Sequence, residues 1–226
     1  MSKKVNKPGD DSAVNVAEVY SKTEKYVDDN RNTLLIIAGI LVVLFAGYFA
    51  VTRLYLQPRS EEAMNLMWKA EYWFEIDSLD KALVGNESYY GFEFIADEYS
   101  NTKAGDLASY YSGVIYLRNS DYQMALNYLK NADLEDEIVG AMAKGGMGDA
   151  YVQLGDYDKA ISSYSDAISH SKNLLTAPMY LKKQGLVYED QGKFKEALTN
   201  YKRIKDDFPT SNEARSIDSY IARVGG

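Results

Sequence analysis

One apolar run dominates the hydropathy pattern. From Thr33 to Thr52 (TLLIIAGILVVLFAGYFAVT) the chain runs 20 residues without a charge, bracketed by Arg31 and Arg53. At about 1.5 Å per residue a helix of this length spans roughly 30 Å, the thickness of a bilayer's hydrocarbon core. A single segment in lipid must satisfy its own backbone hydrogen bonds, so it has to be a helix. Thr33 and Leu34 open the predicted span, Gly39 and Gly47 lie inside it, and Tyr48 and Thr52 lie near its exit. Tyr48 and Tyr55 suit an interfacial aromatic belt, and the two arginines can reach the headgroups. A cleaved leader is not expected. About 30 polar residues precede the run, which is itself longer than a typical leader's apolar core of ~7–15 residues. The exit FAVTRLYLQPRS also lacks a small-x-small site.

Beyond the run the chain repeats itself. GVIYLRNSDYQMALNYLKNA (113–132), GDAYVQLGDYDKAISSYSDA (148–167) and GLVYEDQGKFKEALTNYKRI (185–204) share Gly, then Tyr three later, an aromatic nine later and Ala twelve later. The sets are Gly113/Tyr116/Tyr122/Ala125, Gly148/Tyr151/Tyr157/Ala160 and Gly185/Tyr188/Phe194/Ala197. A period near 34 with this pattern resembles the tetratricopeptide repeat, two antiparallel helices per unit. The repeats are placed at about 106–139, 141–174 and 178–211. The invariant Gly lets paired helices approach, while Gly155 and Gly192 permit the backbone of a tight turn. Tyr164 and Tyr201 are expected to fill the gap to the next unit, and Pro209 to close the third repeat. The first repeat departs at Ser120, where the others carry Gly, and at Leu129, where they carry Tyr.

The flanks read as a degenerate first unit and a cap. Glu61 to Phe74 places Met64, Met67, Trp68 and Phe74 at roughly helical spacing. A break near Ser78–Glu87 is followed by YYGFEFIADEYSNT, with Phe94 and Tyr99 expected to face inward. Asn212 to Val224 reads as an amphipathic capping helix with Ile217, Tyr220 and Ile221 inward, as a solenoid's terminal unit requires. The chain is therefore expected to be all-α. An N-terminal segment (1–32), in part an amphipathic helix, precedes one transmembrane helix (33–53) and a tetratricopeptide solenoid (54–226).

Charge narrows the partners. Residues 1–52 hold Lys3, Lys4, Lys7, Lys22, Lys25 and Arg31 against Asp10, Asp11, Glu18, Glu24, Asp28 and Asp29, so the net −8 falls on the remainder. An acidic surface of this kind disfavours nucleic acid and broad adhesion to anionic lipid. Near the span, Lys22, Lys25 and Arg31 balance Arg53, Arg59 and Lys69, and only the distal Lys3, Lys4 and Lys7 favour a cytoplasmic N-terminus. The absence of cysteine removes disulfides, thiolate metal sites and thiol nucleophiles.

No catalytic pattern emerges, and neither a cofactor nor a metal site is expected. His170 is the sole histidine and reads as a solvated residue in an SHSK turn beyond a helix. There is no G-x-S-x-G elbow, and no second histidine to build a triad. Gly145, Gly146 and Gly148 form GGMG, which lacks the phosphate-loop Lys and reads as close packing within the second repeat. LEDE (134–137) and KDD (205–207) read as solvated acidic ends. Most of the 20 tyrosines read as packing aromatics, although Tyr110–Tyr111 could face the groove.

By resemblance, the first helices of successive repeats would line a concave surface. It would hold Tyr110, Val114, Leu117, Met142, Asp149, Val152, Met179, Lys182, Leu186 and Glu189. Mainly apolar, it suits extended hydrophobic polypeptide, with Met supplying plasticity. The alternative is that these residues pack against the chain's own cap or linker. The order of the parts, with NVAEVYSKTEKYVDDNRNTLLIIAGILVVLFAGYFAVTRLY (15–55) and FIADEYSNTKAGDLASYYSGVIYL (94–117), is similar to the YfgM-like family. That resemblance implies a bacterial inner-membrane protein with a cytoplasmic N-terminus and a periplasmic domain. It also implies association with the SecYEG translocon and a PpiD-type periplasmic chaperone, and contact with emerging secretory chains. The rival readings are a scaffold subunit of another envelope secretion or motility complex, and an adaptor with its domain in the cytoplasm.

Overall fold

The structure is a computed structural model that describes residues 20, 22 and 24–225. Of the expected N-terminal segment (1–32), residues 1–19, 21 and 23 lie outside the described residues, as does Gly226. The chain divides into two units, Met1–Tyr55 and Leu56–Gly226.

In the first unit, α1 (Arg31–Ala50) buries none of its residues. Leu41, Val43 and Phe45 are all exposed, and nothing lies within 4 Å of the positions a Cβ would take at Gly39 and Gly47. Among the described residues, this run supplies the one helix long and apolar enough to cross a membrane. Thr52 donates its hydroxyl to the Tyr48 carbonyl at 2.9 Å, so the polar group is satisfied within the helix. A π-helical turn follows at Val51–Leu56.

The second unit is a stack of helical hairpins. α2 (Gln57–Glu75), α3 (Leu79–Val84), a two-strand antiparallel turn pairing β1 (Gly85–Asn86) with β2 (Tyr89–Tyr90), and α4 (Phe92–Glu98) make the first layer. Three hairpins follow: α5 (Lys103–Arg118) with α6 (Tyr122–Asn131), α7 (Val139–Gln153) with α8 (Tyr157–His170), and α9 (Thr176–Asp190) with α10 (Phe194–Asp207). A 3₁₀ turn (Glu213–Ser216) and α11 (Ile217–Arg223) close the stack.

The repeat residues explain this geometry. Gly155 and Gly192 take positive φ (77° and 69°) between the paired helices, and Ser120 takes φ 62° at the same place in the first hairpin. The left-handed turn is thus retained even where the residue disfavours it. Asp121 and Asp156 then cap the second helices, accepting the amides of Met124 and Lys159 at 3.2 and 3.3 Å. A Cβ on Gly113, Gly148 or Gly185 would fall 2.4–2.5 Å from Leu129, Tyr164 or Tyr201. Each glycine therefore admits the side chain sixteen residues on, in its own hairpin. Tyr164 and Tyr201 also reach forward, to Tyr180 at 5.9 Å and to Tyr220 at 5.4 Å.

GGMG does more than pack the second repeat. A Cβ on Gly145 would lie 2.0 Å from the Tyr180 ring of the following hairpin, and one on Gly146 3.1 Å from Leu129 of the preceding one. Gly148 alone serves its own hairpin. Buried polar bonds fix the register further on. Gln184 donates to the Ile161 carbonyl at 2.8 Å and to Ser165 Oγ at 2.7 Å, and Asn200 donates to Gln184 at 2.8 Å.

Three expectations need correction. In α2 the buried face is Ala63, Met67 and Ala70, with Phe74 packed beside them, while Met64 and Trp68 are exposed. In α4 Phe92 and Ile95 are buried with Tyr99, while Phe94 is exposed and stacks on Tyr90 at 4.0 Å. The break near Ser78–Glu87 is filled by α3 and the strand turn. The cap behaves as expected, with Ile217 buried and Tyr220 and Ile221 packed on the core.

Candidate functional site

The first helices α2, α5, α7 and α9 lie in consecutive contact and share one face. The face is mixed in how open it is. The exposed apolar side chains among the projected groove residues are Met142 and Leu186, 37% and 38% accessible. Tyr110 is buried, with its hydroxyl 3.8 Å from Met142 Sδ. Val114 and Leu117 pack against the cluster of Leu129, Ala132 and Ala143. Leu117 Cδ1 also sits 3.3 Å from the Cβ position of Gly146, so it serves the junction between hairpins. Val152 and Met179 are partly buried on the core of the later hairpins.

The charged groove residues are engaged within the chain. Asp149 accepts the Tyr164 hydroxyl at 2.7 Å and Lys183 Nζ at 2.6 and 2.8 Å. Glu189 accepts both Arg223 Nε (2.8 Å) and Nη2 (2.7 Å), together with the Tyr201 hydroxyl. Lys182 Nζ lies 4.6 Å from the Tyr220 ring centroid. Tyr220 and Arg223 belong to α11, so the cap helix engages Lys182 and Glu189 at that end of the face while Leu186 between them stays open. Burial pushes the Glu189 carboxyl up, but the hydrogen bonds from Arg223 and Tyr201 outweigh it and hold it below the usual carboxylate range. Burial and then the neighbouring carboxylate push the Tyr164 and Tyr201 phenols up, so both remain neutral donors.

At the opposite end Arg118 of α5 pairs with Asp77 just beyond α2 at 2.5 Å, and two further carboxylates of α2 do not share in that pair. Tyr111 is half-buried, stacked on Phe92 at 4.6 Å and edge-on to Phe74 at 5.1 Å. Its phenol is pushed up by burial, then by Glu71 and Glu75 on α2. Glu71 itself is pushed up by burial, then by Glu75 one turn away. Neither carboxylate makes an ion pair among the described residues. Sequence reasoning passed over Glu71 and Glu75, because α2 lacks the repeat signature that places the other residues. The register of Tyr111, two before Gly113 as Lys183 is two before Gly185, was the available signal.

Two residues outside the groove take structural roles. His170 ends α8, and its Nε2 lies 3.0 Å from the Asp136 carbonyl oxygen, so it joins the two ends of one hairpin. Asp136, within the LEDE run, accepts the amides of Ile138 and Val139 at 2.9 and 2.8 Å. Those bonds, ahead of the weaker effects of burial and His170, hold its carboxyl below the usual range.

Comparison with known proteins agrees with this architecture. Residues 7–220 match the family described as T7SS, ESX-1 secretion system protein EccA1, N-terminal domain. The chain is also similar to the uncharacterized protein ycf37 of Guillardia theta, 30% identical over 114 residues, or 49% of this chain. It spans 62% of the length of that curated relative.

Proposed function

The chain belongs to the EccA1 N-terminal domain family of the ESX-1 secretion system, and on that premise we propose that it is a membrane-anchored protein-binding subunit working beside a protein-export channel. The observation that carries this reading is the pairing of an apolar, unburied helix with a helical-repeat face on which Met142 and Leu186 remain open. A groove of this kind holds polypeptide through apolar contacts. Anchoring raises the effective concentration of client near the channel, so a weak, fast-exchanging site suffices.

The resemblance to the YfgM-like family supports the more specific reading. In it, α1 spans the bacterial inner membrane with the N-terminus cytoplasmic and the repeats periplasmic. The partners are then the SecYEG translocon, a PpiD-type chaperone and emerging secretory chains. The matched family, that of the N-terminal domain of a secretion-system protein, supports a second reading, a scaffold subunit of another secretion assembly. Affinity purification in mild detergent separates them: SecY with an isomerase chaperone favours the first, and components of another secretion machine favour the second. Protease protection in spheroplasts tests orientation, and digestion of the repeats from the periplasmic side is the expected result. For the groove itself, Met142→Asp with Leu186→Asp should leave helical circular dichroism unchanged and abolish crosslinking to nascent chains. Full crosslinking in that folded variant would refute the groove.

A further inference from the structure

The helical stack has one end at which the chain enters it, and the connections at that end can be followed by contact. α2 starts at Gln57, close after the apolar run. Arg59 in its first turn donates Nη2 to the Glu98 carbonyl at 2.7 Å and lies 5.0 Å from the Tyr99 ring, where α4 gives way to the connection to α5. Lys103, which opens α5, reaches Glu135 in the α6–α7 connection at 3.4 Å. The Asp136 carbonyl oxygen of that connection lies 3.0 Å from Nε2 of His170, where the α8–α9 connection begins. Residues 171–175 (SKNLL) therefore lie at the same end of the stack as Gln57. This connection is pinned. Asn173 accepts the amides of Leu175 and Thr176 at 2.8 and 2.7 Å and donates to Ser171 Oγ at 2.8 Å. Yet Leu174 and Leu175 are 57% and 53% exposed, and Ile138, at the matching place one repeat earlier, is 42% exposed. Lys172 is exposed in the same connection. An ordered loop that holds two leucines in water forgoes the free energy of burying them.

We propose that the Leu174–Leu175 tip, with Ile138 one repeat away, dips into the interfacial layer of a zwitterionic lipid bilayer. This rests on the reading of α1 as a membrane span and adds a second point of contact with that membrane. The occupant is named by the place of the tip and by its neighbours. The tip stands at the end of the stack where the chain arrives from the apolar run, so the tether makes its contact with lipid intramolecular, and two leucines suffice where a free domain would need more. Lys172 can lay its stem in the apolar layer and turn its ammonium to the phosphates. The adjacent α6–α7 connection carries Asp133, Glu135, Asp136 and Glu137, which anionic headgroups would repel, so the fitting surface is zwitterionic.

The chain has no cysteine, so a single introduced thiol can carry an environment-sensitive fluorophore without background. The test places Leu174→Cys, so labelled, as the full chain in zwitterionic nanodiscs containing lipids brominated on their acyl chains. Two comparison labels are Val43→Cys in α1 and Leu154→Cys, the latter 47% exposed in the α7–α8 turn at the other end of the stack. The Leu174→Cys label should emit to the blue of the Leu154→Cys label. It should also lose more emission to bromines near the headgroup than to bromines near the chain ends, while the Leu154→Cys label loses none. Adding Leu175→Asp should return the emission towards that of the Leu154→Cys label with helical circular dichroism unchanged. An unshifted, unquenched Leu174→Cys label beside a quenched Val43→Cys label overturns the lipid contact alone. A blue shift without bromine quenching also overturns it and assigns the tip to a protein surface, a second copy of the chain included. Equal quenching at Leu154→Cys overturns the assignment to this end of the stack. No quenching at Val43→Cys overturns the span reading and this inference with it.

Discussion

The junction of α7 with α9 and the junction of α2 with α5 are built at the same register and end differently. The first has Asp149 bonded to Tyr164 and Lys183, so a groove carboxylate is used up in holding neighbouring hairpins together. The second has Tyr111 edge-on to Phe74 at 5.1 Å, with Glu71 and Glu75 of the same helix in no ion pair among the described residues. Position in a repeat array therefore fixes where a side chain points. What it does depends on the residue the next unit presents. The matched junction favours stability, and the other keeps two like charges one helical turn apart at some cost to the folded state.

The sharpest way to break the matched junction is steric. Gly145→Ala would drive a methyl group to 2.0 Å from Tyr180 carbons. It should lower unfolding free energy by about 3 kcal/mol in urea denaturation, since overpacked cores relax only partly. A smaller test reverses sign between the two junctions. Asp149→Asn should destabilise by about 1 kcal/mol, because Lys183 loses its counter-charge at a half-exposed site. Glu71→Gln should instead stabilise by about 0.2–0.5 kcal/mol at neutral pH by removing a like-charge pair.

The same contrast appears with pH. Burial and then Glu75 raise the Glu71 carboxyl in the folded state, and burial and then Asp133 raise Asp106 to about 6. For a raised carboxyl the folded state binds the proton more tightly than the unfolded chain. Its penalty is fully present above the folded value and is relieved as pH falls towards the ordinary value. The protein should gain stability from these two groups between about pH 7 and pH 4, and Glu71→Gln should reduce that gain. Glu189 acts oppositely, since its carboxyl is held low and its contribution is lost as pH falls through that lowered value. A further modest effect is expected at Ser120, where φ is 62°. Ser120→Gly should stabilise by up to about 1 kcal/mol, the relief of left-handed strain less the added freedom of the unfolded chain.

The hairpins were legible because Gly113, Gly148 and Gly185 and the alanines twelve later sit at contacts that tolerate no substitute of another size. The first layer was not. α3 and α4 are too short, at 6 and 7 residues, for periodicity to show which side faces inward, so Phe94 was exchanged for Phe92. In α2 the core is lined partly by Ala63 and Ala70, and small residues give a weak apolar signal beside Met64 and Trp68. The repeat register supplied the candidate groove positions and packing on the chain's own cap stood as the alternative, but that Tyr220 and Arg223 would engage Lys182 and Glu189 in particular was not legible. That depends on how a terminal helix docks from 34 residues away, as in the Arg223–Glu189 pair.

The three bare positions of α7 have a mechanical consequence. Gly145, Gly146 and Gly148 look towards the following hairpin, the preceding hairpin and their own partner helix. Turning α7 about its axis would carry a side chain into a gap sized for hydrogen in at least one direction. The middle of the array is thereby locked like a keyed shaft, so any relative motion of the layers must come from swinging the outer ones around it.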